Sequence, residues 1–484
     1  MNTLESVVKR LDTPLFHTIG EAADSIDRPC YAVGGCVRDF FLGRPSKDID
    51  FVTVGSGIDL AEIVAQKFGR KTHLSVFRNF GTAQVKRHDL ELEFVGARKE
   101  SYNRNSRKPL VEDGTLEEDL SRRDFTINAL ALRVNRNGFG ELVDLFGGLD
   151  DMKAGILRTP LDPDVTFSDD PLRMMRAIRF ATQLGFDIYH ETFEAIRRNA
   201  GRITIISKER IVDELMKIMK APVPSVGWKL LLDSGLLPII FPELAAMKGV
   251  QVVAGRGHKD NFFHTLAVLD NVAVKSDNVW LRWAALMHDI AKPVTKRWDE
   301  KTGWTFHNHN FIGAKMVPRI FRALRLPQDQ KMKYVAKLVE LHMRPIALVE
   351  DEVTDSAVRR LINDAGEDLE DLMALCEADI TSKNKEKVTR ILNNFALVRR
   401  KIIDLNERDE IRNLQPPVDG HEIMEIFGIS GGPVIGIIKA GIKNAILDGL
   451  IGATDREAAL EMMYRIAAEN GSTRMKQCSI SANG

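Results

Sequence analysis

Cysteine is scarce in this chain: Cys30, Cys36, Cys376 and Cys478 are the only four in 484 residues, and none stands in a C-x-x-C spacing. That excludes a disulfide framework and a cysteine-ligated zinc site, and it suits reduced thiols in a cytoplasmic setting. Net charge is missing too, since 68 Lys and Arg balance 68 Asp and Glu. Whole-chain electrostatics therefore favour no partner class, and any basic face must be local and balanced elsewhere. No apolar run reaches the roughly 18 residues of a membrane span. The opening segment MNTLESVVKRLDTPLFHTIGEAADSI has amphipathic helical spacing and lacks the apolar stretch of a secretory leader. Internal repeats and low-complexity tracts are absent as well. A cytoplasmic protein without membrane contact is expected.

What is present is organised unevenly. Length alone suggests about three or four domains. Only the first third reads as mixed α/β. YAVGG is a short strand breaking at glycine, CVRDFFLG a helix stopping at Gly43, and DIDFVTVG a second strand. A helix near Ile58 to Phe68 follows, and FGTAQVKR and LELEFVGAR then alternate with period 2. From about residue 151 strand signals nearly vanish. DDPLRMMRAIRFATQLGF starts behind an Asp–Pro cap and stops at Gly185; ISKERIVDELMKIMK is a second helix; KGVQVVAGRGHKDN looks like a linker. The spacing predicts an α+β head over 1–150, a helical neck over 151–250, a helical domain over 255–385 and a helical tail over 386–484.

Residues 31–50, YAVGGCVRDFFLGRPSKDID, place several chemistry-bearing side chains in order. Asp48 and Asp50 stand at i and i+2 on a strand, so both leave the same face. Two carboxylates that close repel unless a cation lies between them, and hard oxygen ligands suit Mg²⁺. Gly34 and Gly35 let backbone approach a triphosphate, and Arg38, one turn into the helix, offers a charged fork to phosphate. Taken alone, the stretch also fits a strand–turn–helix with a solvated polar edge.

Together, GGCVRDFFLGRPSKDIDF, RRDFTINALAL and DDPLRMMRAIRF resemble the class II tRNA nucleotidyltransferases (CCA-adding enzymes) and the related bacterial poly(A) polymerases. The diagnostic motifs span about residues 31 to 215. The resemblance implies a polymerase-β-like nucleotidyltransferase sheet followed by an all-α body. It implies that Asp48 and Asp50 bind Mg²⁺, with Glu93 as a third catalytic carboxylate; Glu93 equally fits the outward side of an alternating strand. In RRDFTIN it points to Arg123 and Asn128 at the nucleotide's phosphates and sugar. Asp170 and Arg173 share a helix face at i, i+3. They suit either a helix cap with an ion pair or a base reader. In the second role a carboxylate accepts from an exocyclic amine while a guanidinium donates to a ring nitrogen, which selects cytosine and adenine and rejects guanine and uracil. Asp169 stands where the family commonly has glutamate. Arg176 and Arg179 continue the same side, the family placing the Arg176 equivalent at the nucleotide, and Lys208, Glu209 and Arg210 match a helix that braces the template.

The resemblance thus implies a template-independent enzyme extending tRNA 3′ ends with CTP and ATP and releasing pyrophosphate. SVFRNFGTAQVKR and the tail segment PPVDGHEIMEIFGISGGPVIG favour CCA addition; poly(A), CC-only and A-only products are the alternatives. RNA contacts are expected from Arg98, Lys99, Tyr102, Arg104, Arg107 and Lys108 and from a helix bearing Arg197, Arg198 and Arg202. A second chemistry lies in the body. His264, then His288 and Asp289 side by side, then Asp379, follow the pattern of HD-superfamily metal phosphohydrolases, with His309 and His342 between. Imidazoles and carboxylates converging from separate helices can hold a second divalent ion that activates water. The alternative is a relic without metal. A phosphohydrolase acting on nucleotides or RNA ends is accordingly the competing function.

Overall fold

The computed structural model describes residues 1–46, 48–101, 110–350, 354–382, 384–413, 416–447, 450–452 and 454–469. Tyr102, Arg104, Arg107, Lys108 and Cys478 lie outside the described residues. The chain forms two compact units, residues 1–346 with 367–388, and residues 347–366 with 389–484. No helix among the described residues is long and apolar enough to cross a membrane.

The first unit opens on two helices, Leu4–Leu11 and Pro14–Asp24, and a seven-stranded mixed sheet. Its strand order is His73–Phe77, Thr82–Arg87, Leu90–Gly96, Asp48–Thr53, Cys30–Val33, Leu130–Arg133, Leu142–Asp144. The Asp48–Thr53 and Leu90–Gly96 strands pair in parallel, while the other neighbours are antiparallel. The Gly57–Phe68 helix makes that parallel crossover possible, since parallel strands need a long connection. Alternation sorts the strand faces: Ile49, Phe51, Leu92 and Phe94 are buried, and the Phe51 and Phe94 rings stack 5.2 Å apart. Asp48, Asp50, Glu91 and Glu93 take the opposite face.

Helices dominate after residue 158, starting with Pro163–Asp169 and Leu172–Leu184, the latter closed by Gly185 in the left-handed conformation as its sequence predicts. Lys208–Met219 packs against Leu172–Leu184. Two short hairpins interrupt the helical body. Val252–Val253 pairs with Arg256–Gly257 inside the expected linker, and Arg297–Asp299 pairs with Gly303–Thr305. Strands of two and three residues are too short to show a period, so their sequences read as loop. The helices Asn261–Lys275, Val279–Met287, His309–Leu324, Gln330–Leu341 and Leu369–Ala378 complete this unit.

The second unit has its own apolar core, in which Val418, Ile423, Phe427, Ile438, Ile442, Ala459 and Met463 are buried together. Its helices include Gly420–Phe427, Pro433–Leu447 and Arg456–Glu469.

Candidate functional site

A cleft of about 610 Å³ opens beside the sheet. Its lining includes Gly34, Gly35, Asp50, Asn128, Asp170 and Phe180 together with Arg38, Arg98, Arg122, Arg123, Arg173, Arg176, Arg179 and Arg210. That excess of guanidinium groups suits a polyanion such as a nucleoside triphosphate.

The metal-side carboxylates come from strand register. Asp50 stands opposite Glu93 on the adjoining parallel strand, and Asp48 opposite Glu91, so Asp48, Asp50 and Glu93 share a face. Burial raises the pKa of Asp50 and the Asp48 carboxylate adds to it, against the pull of Arg123. Burial, then the charge of Asp50, raises Glu93 in the same direction. Carboxylates that repel one another in this way fit a divalent cation. At Gly34 φ is +76°, and an added Cβ would lie 2.7 Å from Arg123 Nη1, so glycine is needed both for the turn and for the guanidinium's approach.

The arginines are held, each by a partner. Asp119, fully buried, accepts from Arg122 Nε at 3.1 Å and from Arg123 Nη2 at 3.1 Å. Burial would raise Asp119, but Arg123 and Arg122 outweigh it and keep the carboxyl below the usual range. Asp124 does the same for Arg176, whose Nη2 lies 2.7 Å from its Oδ2. Asn128 donates to Asp124 Oδ1 at 2.9 Å and accepts from Arg38 Nη1 at 2.8 Å. Arg38 also donates Nε and Nη2 to Asp39. Arg38 thus braces Asn128 and still lines the cleft. Arg179 also lines the cleft; it pairs with buried Glu214 and lies over the Phe180 ring at 3.7 Å, tying the Leu172–Leu184 helix to Lys208–Met219.

Asp170 and Arg173 both line the cleft. The Asp170 partner is Arg210, whose Nη2 lies 3.4 Å from Oδ2, while Asp170 Oδ1 accepts from Leu172 N at 3.1 Å. Arg173 donates Nη2 to the Arg122 carbonyl at 2.7 Å. Cap and brace thus coexist, and of the Lys208, Glu209, Arg210 trio only Arg210 reaches the pair. The expected RNA track is largely satisfied locally. Arg198 pairs with Asp164 at 2.5 Å, Arg197 donates to Glu194, and Arg202 to the Ser168 carbonyl.

A second cluster lies between the body helices. His264 Nε2 is 2.8 Å from Asp379 Oδ1, and its Nδ1 contacts Thr381 Oγ1 at 2.8 Å. His288, His309 and His342 each turn Nδ1 onto a carbonyl three residues earlier, at 2.8, 2.8 and 2.7 Å. Their Nε2 atoms therefore face inward, a common arrangement for metal-ligating imidazoles. His288 Nε2 is buried without an aligned hydrogen-bond partner, 3.3 Å from Asp289 Oδ2 and 3.6 Å from Asp379 Oδ1. Burial favours its neutral ring, yet Asp289 and Asp379 outweigh that and push His288 up to about 10. Burial, with the charge on His288, pushes His342 down to about 4. The donor set of imidazoles and carboxylates fits a divalent transition ion.

The chain matches a Poly A polymerase head domain over residues 30–158, a probable RNA- and SrmB-binding site of polymerase A over 185–248, and an HD domain over 261–383. It is 32% identical over 435 residues to an A-adding tRNA nucleotidyltransferase of Deinococcus radiodurans, covering 88% of this chain and 93% of that protein. The chain belongs to the tRNA nucleotidyltransferase family. It is a nucleotidyltransferase with an HD domain in its body. An A-adding tRNA nucleotidyltransferase of Aquifex aeolicus is 44% identical over 187 residues, 38% of this chain and 22% of that relative. The Thermotoga maritima CCA-adding enzyme complexed with tRNA_CCA shares the fold, with a TM-score of 0.60 at 21% identity over 97% of this chain and 99% of that one.

Asp119, Asp124, Phe180 and Glu214 escape motif reading although they set the arginine geometry. For Asp119 the signal was only an acid three and four residues from arginines, a spacing shared by ordinary surface pairs, while Asp124 and Glu214 reach Arg176 and Arg179 only through the fold. His309 and His342 join the body cluster although the His264, His288, Asp289, Asp379 pattern omits them.

Proposed function

We propose that the head cleft extends tRNA 3′ ends with C, C and A from CTP and ATP, without a nucleic-acid template. The observation that carries this reading is that Asp170 and Arg173 line the same arginine-rich cleft as Asp50. Asp170 offers an acceptor to an exocyclic amine and Arg173 a donor to an unprotonated ring nitrogen, an edge that cytosine and adenine share. Arg210 and the Arg122 carbonyl hold the two side chains in place, and guanidinium retains further N–H donors for a base. Arg123 and Arg176, steadied by Asp119 and Asp124, present charge to the triphosphate. Asp48, Asp50 and Glu93 would hold Mg²⁺. When bound, the ion supplies Lewis acidity to the primer hydroxyl and neutralises charge on the departing pyrophosphate.

A-only addition is the second reading, favoured by the A-adding names of the two relatives. The test is tRNA lacking its CCA end, and tRNA ending in CC, each incubated with CTP, ATP or both, with products sequenced. CCA on the first primer is expected. A alone, on the CC primer only, supports the second reading, and a long A tail or no incorporation overturns both. The HD cluster supports a separate activity, hydrolysis of phosphoesters at a divalent-ion centre. Phosphate release from 2′-nucleotides that disappears in His288→Ala is expected, and release unchanged by that substitution contradicts it.

A further inference from the structure

Beside the HD cluster stands a group of side chains that neither proposed activity uses. The hairpin strands Arg256–Gly257 and Gly303–Thr305 pack against one another, and His258, Trp304 and Phe306 follow from them. Lys296 Nζ lies 2.6 Å from His258 Nε2 and 4.3 Å from the centre of the Trp304 ring. The His258 ring meets the Trp304 and Phe306 rings edge to face, each at 5.7 Å. An ammonium and the Gln251 amide, 3.3 Å away, can only donate, so Nε2 accepts from both and Nδ1 donates to the Lys259 carbonyl at 2.6 Å. His258 and Trp304 therefore fix Lys296 without neutralising it. Among the described residues no carboxylate pairs with Lys296, and partial burial lowers its pKa. A cation that is partly desolvated and lacks a counter-charge favours an anion beside it.

Two residues join this group to the HD cluster. Phe306 faces His258 with its ring, and its carbonyl accepts from His309 Nδ1 at 2.8 Å. Thr381 Oγ1 lies 2.9 Å from Lys259 Nζ and 2.8 Å from His264 Nδ1. Lys292, four residues before Lys296, donates to Asp289 Oδ2 at 2.5 Å and stands 5.6 Å from the centre of the Phe306 ring. One ammonium thus lies against the cluster and the next lies outside it, a step of about 5–6 Å between Cβ atoms. That order suits consecutive phosphates of one strand, the reacting group at the cluster and its upstream neighbour on Lys296.

We propose that Lys296, set by His258 and Trp304, binds a backbone phosphate of RNA one nucleotide upstream of the phosphoester hydrolysed at the HD centre. The centre then acts on phosphorylated RNA ends in preference to free nucleotides, which lack that phosphate. The proposal rests on the reading of the HD centre as a phosphohydrolase and adds its substrate class.

The test measures phosphate release by the full chain with Mn²⁺ supplied. The substrates are adenosine 2′-monophosphate and an RNA tetranucleotide whose last adenosine carries the same 2′-phosphate. The tetranucleotide should have the higher kcat/KM by about tenfold or more, the worth of one charge-assisted contact. Lys296→Gln should bring that ratio towards one. It should also lower the slope of log KM for the tetranucleotide against log salt by about 0.7, the single-strand value for one phosphate contact. Lys296→Arg should restore both. Equal kcat/KM values in the parent, or a ratio that Lys296→Gln leaves unchanged, overturn the proposal and leave the phosphohydrolase reading standing; no release from either substrate overturns both. Should Lys296→Gln fail to fold by circular dichroism, the ratio in the parent still decides the matter, and a value near one overturns the proposal.

Discussion

At the scale of single residues, the cleft is built from acids that hold arginines. Asp119 is the clearest case, because it is fully buried and grips both Arg122 and Arg123. Removing one partner of a buried pair costs about 3–5 kcal/mol, and less where, as here, the arginines keep some solvent access. Asp119→Asn is expected to lower stability by about 2–3 kcal/mol at neutral pH, measured by urea unfolding. Because the folded-state pKa of Asp119 is depressed, its contribution is present above the unfolded value of about 3.9 and fades as pH falls through the lower folded value. The deficit of the variant should therefore shrink on acidification below pH 4, and a constant deficit would contradict the ion-pair account. Residues proposed to meet substrate or metal, such as Asp48, Asp50, Asp170 and Arg173, were legible in the sequence because the proposed chemistry needs fixed types at fixed spacing. Their supports were not, since a carboxylate can reach an arginine from many positions.

At the scale of elements, the strand–turn–helix at Cys30–Phe41 positions the cleft through one backbone conformation. Gly34→Ala adds a left-handed cost of about 1–2 kcal/mol and sets a methyl group against Arg123 Nη1. The expected result is a several-fold higher KM for nucleotide with tRNA affinity unchanged; an unaltered KM would detach Gly34 from the site. This element, the parallel pair and the Gly185-capped helix were readable because glycine breaks and clear periods mark them. The Val252–Gly257 and Arg297–Thr305 hairpins were not, as strands of two or three residues carry no period. Arg38 shows the same limit from another side: its place in the cleft was foreseeable, but its commitment to Asp39 and Asn128, which stands 90 positions away, depends on tertiary packing.

At the scale of the whole molecule, both proposed centres lie in the first compact unit, while the second has an apolar core of its own. Calorimetry is expected to show two thermal transitions. ATP with Mg²⁺ should raise only the transition of the first unit, by about 2.7 kcal/mol of stabilisation at a concentration one hundred times Kd. A single transition, or an equal shift in both, would contradict separate units.

The central claim is that protein side chains select the base. Its most direct measurement is the ratio of kcat/KM for ATP over GTP on tRNA ending in CC, in the parent and in Arg173→Ala. A base contact of this kind is worth about 1–3 kcal/mol of discrimination, so the ratio should fall by at least about fivefold with tRNA binding preserved. An unchanged ratio would contradict the account.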